Sequence, residues 1–320
     1  MKGRLHLYMT KKMALIFPGQ GSQYEGLGRD IIDSKLEISK VYQNLYSIVG
    51  EKTAQKILNA KKEDLSMTRY AQLAIFLDSV LLCKEFKNRY SKYIEVVSST
   101  GLSLGEYSAL CSSGAFDIET GIKIINKRGE IMEKAASGKG GMIAVIKPDI
   151  EEISNIILEI KKEKNGVIDI CNLNSPAQIV VGGEYELIDI FKEKCLKNKI
   201  KSIIDLDVEG PFHTEILKEA SIEFGEILDK IEYKMPRQKV YSNFDAREYT
   251  KKEEFSKKLQ KQMYSPVYFE KIIRNMLEEG IKDFIEIGPG KTLRSFVRKI
   301  DKKVNVSNIE NIQDLESYKV

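Results

Sequence analysis

Met13 to Phe17 is an unbroken apolar run that stops at Pro18-Gly19-Gln20-Gly21. That is the pattern of a buried strand entering a glycine-rich turn. From 68 to 86 the period changes, and Leu73, Phe76, Leu77 and Val80 recur at helical spacing. Ile94 to Ser98 is rich in β-branched residues and leads to Gly101, after which Glu106 to Ser113 reads as a short helix. Strand, sharp turn and helix in that order predict an α/β fold with a mainly parallel sheet.

The middle of the chain has another rhythm. Met142 to Ile146 reads as strand, Asp149 to Lys161 as helix, Val167 to Cys171 and Gln178 to Val181 as strands. Asn174-Ser175-Pro176 supplies the turn between those two. Glu184 to Leu196 reads as helix and Lys201 to Leu206 as strand. The order βαββαβ predicts a ferredoxin-like unit. Beyond it come a helix near 214–230, a strand near Val240 and helices up to Leu277. A last strand, Asp283 to Ile287, meets Gly288-Pro289-Gly290 and a helix. The expected organisation is a large α/β domain from 13–138 and 208–320, a small ferredoxin-like domain inserted at 139–207, and an N-terminal extension at 1–12. That extension lacks a continuous apolar segment and a small-residue cleavage site, so it reads as an arm rather than a signal peptide, with Met13 an alternative start.

Composition narrows the classes. Hydrophobic residues make up 42 % and charged residues 31 %, as in a folded globular protein rather than a disordered one. No apolar run approaches the ~20 residues of a membrane-spanning helix. The net charge of +4 is spread among both signs and gives no basic stripe for nucleic acid. Cys83, Cys111, Cys171 and Cys195 are far apart and form no CxxC, which argues against a disulfide framework or zinc site and for reduced thiols in the cytoplasm.

The chemistry begins at Gly101-Leu102-Ser103-Leu104-Gly105. A G-x-S-x-G between strand and helix is a nucleophile elbow, in which the glycines allow a turn tight enough to expose the serine hydroxyl. The helix that follows points its N-terminus at the site, and the N–H of Leu104 is placed to donate to an oxyanion. The alternative is a glycine-rich turn with an incidental serine. A serine nucleophile needs a base. The chain has two histidines, and His6 lies in the terminal arm, which leaves His213 in Gly210-Pro211-Phe212-His213. No acid is well placed for a third member. Asp205 and Asp207 are near neighbours on a strand, so a backbone carbonyl is the other way to orient the ring. On a helical projection of Asp117 to Ala136, Arg128 falls among Ile122, Ile124, Ile125, Ile131 and Met132. A guanidinium there either forms a structural ion pair or grips a substrate carboxylate with two parallel hydrogen bonds. The loop Gly19–Gln23 ends the first strand, where open α/β sheets bind ligands, and its backbone N–H groups can complete an oxyanion hole.

These segments resemble the malonyl-CoA:acyl carrier protein transacylases, an acyltransferase family of fatty acid and polyketide synthesis. The resemblance runs from Met13 to about Ile300. It rests on FPGQGSQ at 17–23, GLSLGEYSAL at 101–110, KRG at 127–129, NSPAQIVVGG at 174–183, GPFH at 210–213, YSN at 241–243, QMYSPV at 262–267 and EIGPGKTL at 286–293. It implies an α/β-hydrolase-like large domain carrying the inserted ferredoxin-like unit. It also implies Ser103 as the acyl-bearing nucleophile, His213 as proton shuttle and Arg128 as partner of malonate's free carboxylate. The backbone amides of Gln20 and Leu104 become the oxyanion hole, and the main-chain carbonyl of Gln262 orients the histidine. Phe212 resembles the malonyl-selective pattern. One position departs: the family usually has histidine before the serine, and here it is Leu102.

The implied reaction transfers malonyl from malonyl-CoA to the phosphopantetheine thiol of acyl carrier protein, with no metal and no cofactor, by a monomer. Within the same chemistry the alternative is a discrete acyltransferase or acyl hydrolase serving a polyketide synthase. From another class it is a non-catalytic scaffold that binds acyl carrier protein.

Overall fold

A strand with no polar face needs cover on both sides, and a parallel sheet between two layers of helices provides it. The computed structural model describes residues 10–320. Its strands are β1 (Lys11–Phe17), β2 (Ile94–Gly101), β3 (Gly141–Ile146), β4 (Ile168–Ser175), β5 (Gln178–Gly183), β6 (Ile203–Asp205), β7 (Lys239–Val240), β8 (Asp283–Ile287) and β9 (Asn305–Ile309). The large sheet runs β7-β2-β1-β8-β9, with every pair parallel. Side chains of β1 alternate between two apolar clusters. Met13, Leu15 and Phe17 join the helices Thr68–Tyr90, Leu104–Ser113 and Ile118–Ala136 on one face. Ala14 and Ile16 join the helices Phe269–Glu278 and Thr292–Ile300 on the other. Because the strands are parallel, the carboxyl ends of β1, β2 and β8 share one edge, where the loops carrying Gln20, Ser103 and Gly288 emerge.

The second sheet has the order β4-β5-β3-β6 and is antiparallel throughout. With the helices Ile150–Glu163 and Tyr185–Lys197 it makes the expected ferredoxin-like unit. The first of these helices starts at Asp149, whose carboxylate accepts the N–H groups of Glu151 and Glu152. Ile143, Val145, Ile179 and Val181 face the two helices, while Met142, Cys171 and Val180 turn to the large core. The unit's strands and helices therefore lie between Gly141 and Asp205.

Three details differ from the sequence reading. β1 begins at Lys11, so the last two residues of the expected extension are strand; Met1–Met9, with His6, lie outside the described residues. The stretch after His213 is a short 3-10 turn, Glu215–Leu217, before the helix Lys218–Leu228. Asp283–Ile287 is not the last strand, because β9 adds to the sheet edge beyond it. Its sequence NVSNI has two apolar residues in five and carries two asparagines, which disfavour strand, so pairing with β8 rather than local preference makes it one. Among the described residues no helix is long and apolar enough to cross a membrane, and all four cysteines are buried and unpaired.

Candidate active site

The elbow is built by close backbone approach. A Cβ on Gly101 would lie 2.1 Å from the carbonyl carbon of Gly105, and one on Gly105 would lie 2.0 Å from the carbonyl oxygen of Phe17. Only glycine fits either place. Between them Ser103 is held at φ 52°, ψ −101°, a strained conformation for an L-residue. Asn243 holds the turn from outside: its Oδ1 accepts the Ser103 N–H at 2.7 Å and its Nδ2 donates to the Gly101 carbonyl at 2.8 Å.

The structure brings His213 to the serine, with Nε2 2.7 Å from Ser103 Oγ. On the far side of the ring, Nδ1 lies 2.7 Å from the main-chain oxygen of Gln262. A carbonyl can only accept, so Nδ1 carries the proton and Nε2 offers its lone pair to the serine hydroxyl. No carboxylate is needed for that orientation, and neither Asp205 nor Asp207 makes a bond to the ring. Burial pushes the pKa of His213 down to about 4, the Arg128 cation pushes the same way, and the Gln262 carbonyl opposes both. The imidazole is therefore neutral at neutral pH and ready to take a proton.

Arg128 is fully buried. Its Nη1 donates to Gln72 Oε1 at 2.7 Å, and its Nη2 donates to Ser103 Oγ at 2.9 Å and Gln262 Oε1 at 3.0 Å. The guanidinium lies over the Tyr107 ring, 5.1 Å from its centre. Among the described residues its partners are all neutral, and Nε has none. A buried cation with no acid against it is costly, by several kcal/mol, unless a ligand supplies the opposite charge.

A cavity of about 560 Å³ opens above these groups, between the two sheets. Gln20, Leu102, Ser103 and Leu104 line it from the large sheet; Asn174 and Val180 line it from the small one. Among the described residues the backbone N–H groups of Gln20 and Leu104 have no acceptor, as donors reserved for a ligand would. Phe212, almost fully buried, forms part of the wall beside His213. Leu102 packs partly buried against the cluster of Ile16, Phe269 and Phe296, so apolar contact replaces whatever hydrogen bonds a histidine would make there.

Four further residues complete the site: Gln72, Glu106, Asn243 and the side chain of Gln262. Gln72 and Glu106 had a visible signal, since both are polar positions inside apolar helical stretches. Asn243 had none beyond its motif, because its elbow partners Ser103 and Gly101 lie 140 or more residues away.

An elbow serine bonded to a buried neutral histidine, with free backbone donors beside it and a buried cation aimed at it, is the arrangement of a serine acyl-transfer site. The family model described as "Acyl transferase domain" matches residues 14–317. A malonyl CoA-acyl carrier protein transacylase of Bacillus subtilis strain 168 is 34% identical over 306 residues, 95% of each chain. A crystal structure of the Clostridium perfringens malonyl CoA-acyl carrier protein transacylase superposes with a TM-score of 0.87 at 35% identity, covering 95% of both chains. The MCAT crystal structure from Streptococcus pneumoniae gives 0.87 at 34%, covering 96% of this chain and all of that one. The chain belongs to the acyltransferase family, among its malonyl-CoA:acyl carrier protein transacylases.

Proposed function

We propose that the protein transfers malonyl from malonyl-CoA to the phosphopantetheine thiol of acyl carrier protein, with Ser103 carrying the acyl group in between. His213 Nε2 takes the hydroxyl proton as Ser103 Oγ attacks the thioester carbonyl. The N–H groups of Gln20 and Leu104 receive the negative charge that develops on the carbonyl oxygen. The carbon–sulfur bond breaks, the CoA sulfur leaves with the proton held by His213, and malonate remains on Ser103 as an ester. The carrier's thiol then gives its proton to His213, attacks the ester and leaves as malonyl thioester, returning the proton to Ser103. The Gln262 carbonyl keeps the ring aligned through both halves. Arg128 pairs with the malonyl carboxylate, exchanging its neutral partners for a charged one, and Phe212 bounds the space beside it.

The observation that carries this reading is the buried guanidinium donating to the nucleophile's own oxygen while, among the described residues, no acid is bonded to it. Intact-protein mass spectrometry after mixing with malonyl-, methylmalonyl- and acetyl-CoA tests it. Ser103→Ala should lower acyl-enzyme formation by about 10⁴-fold or more. Arg128→Ala should depress malonyl transfer far more than acetyl transfer. A serine ester persisting elsewhere in Ser103→Ala, or equal losses in Arg128→Ala, would overturn the corresponding assignment.

A further inference from the structure

Glu106 opens the elbow helix and is fully buried, three residues beyond the nucleophile. Three donors converge on its carboxylate. Oε2 accepts the Asn243 N–H at 2.9 Å and Gln262 Nε2 at 2.7 Å, and Oε1 accepts the Tyr249 hydroxyl. Both Asn243 and Gln262 then act on the site. Asn243 holds the Ser103 N–H and the Gly101 carbonyl. Gln262 donates to the Ser103 carbonyl at 2.9 Å, accepts from Arg128 through Oε1, and orients His213 through its backbone.

We propose that Glu106 is the positioning residue of this site: through Gln262 it aims Arg128, and through Asn243 it braces the elbow that presents Ser103. The reasoning turns on the two ends of an amide. Gln262 stands between a carboxylate and a guanidinium, one of which only accepts and the other only donates. Glu106 fixes Nε2 toward itself, and Oε1 must then face Arg128. With the amide turned round, Nε2 would meet the guanidinium donor to donor. The arrangement also spares Arg128 a direct acid. A carboxylate touching the guanidinium would compete with the incoming malonyl carboxylate, whereas an amide oxygen yields to it. Burial lifts the pKa of Glu106 above the ordinary carboxylate value, and the donors Tyr249, Asn243, Gln262 and Ser242 offset part of that rise. The proposal rests on Arg128 holding the malonyl carboxylate.

Two substitutions separate reach from charge. In Glu106→Gln the side-chain oxygen can keep the Asn243 and Gln262 donors, and its amide nitrogen faces the Tyr249 hydroxyl, which can turn to accept. In Glu106→Asp the charge stays and the reach is lost. The readout is the ratio of malonyl to acetyl kcat/KM for acyl-enzyme formation, which a general loss of folded protein leaves unmoved. The ratio should fall about tenfold or more in Glu106→Asp, the scale of loss from small misplacements. It should stay within about threefold of wild type in Glu106→Gln. An unchanged ratio in Glu106→Asp, or a collapse in Glu106→Gln, overturns the proposal. Arg128→Ala in the same assay is the control: if it lowers both acyl groups alike, the carboxylate reading fails, whatever Glu106 does.

Discussion

The ring of His213 is almost fully buried, and that burial sets the protein's response to acid. Its folded pKa of about 4 lies below the ordinary value of about 6.5. In the unfolded chain the ring binds a proton first, so stability present above about pH 6.5 is lost as pH falls toward 4, on the order of 3 kcal/mol from this group. Acylation follows the same ring. The rate of acyl-enzyme formation should be flat from about pH 5.5 upward and fall through a midpoint near 4. Burial is the larger cause and the Arg128 cation the second, so Arg128→Ala should move that midpoint upward without restoring the ordinary value. Single-turnover acetylation between pH 3.5 and 8 checks this, because acetyl has no carboxylate to lose with the arginine. A midpoint unmoved in Arg128→Ala would mean that burial alone sets the pKa.

At the level of elements, legibility followed how local the cause is. The elbow was readable because two glycines and a serine write a backbone requirement into five consecutive residues. The ferredoxin-like unit was readable because six elements alternate within one stretch. β9 was not, since pairing with β8 makes it a strand, and the hold of Asn243 on the elbow depends on a contact spanning 140 residues. Arg128 showed as a charge inside an apolar arc, although its lack of an acid needed three dimensions. The helix Thr68–Tyr90 carries the same signal at Asp78, inside LAIFLDSVLL. The helix is buried on nearly all sides, and among the described residues both oxygens of Asp78 are buried without a partner. Burial pushes its pKa well above the ordinary carboxylate range, with Asp30 and Glu310 adding to the rise. With the folded value raised, the native state binds the extra proton, and stability drains as pH climbs past the unfolded value of about 3.9. Asp78→Asn removes the ionisation and should therefore stabilise by at least about 1.4 kcal/mol at pH 8, the equivalent of a tenfold change in proton binding, and by little at pH 4. Urea titrations at the two pH values measure the difference.

Across the whole molecule, the site is a seam between two sheets, and its chemistry depends on keeping water out of that seam. An ester on Ser103 is lost to hydrolysis if water reaches it before the carrier's thiol does. The cavity's far wall comes from the small sheet, through Asn172, Asn174 and Val180. Besides the packing of Met142, Cys171 and Val180 into the large core, a pair of backbone bonds ties that wall down. Val267 donates to the Cys171 carbonyl at 2.8 Å, and Leu173 donates to the Val267 carbonyl at 2.9 Å. This places β4 against the segment that begins at Gln262, so the residue orienting His213 and the wall over the acyl group share one support. Val267→Pro removes the first of these donors and leaves a buried carbonyl unpaired, a loss of about 1–3 kcal/mol. Val267 is one buried residue of the cluster that holds Ile16, Phe269 and Phe296, so its side-chain packing is lost as well, but the rest of that cluster and the whole of the larger one are unchanged and the fold should persist. The partition should not: free malonate released per malonyl transferred should rise severalfold as the wall loosens, read by quantifying both products with and without carrier protein. A normal partition with a lowered melting temperature would assign the seam to stability alone, and water exclusion would then rest on the bound acyl chain itself.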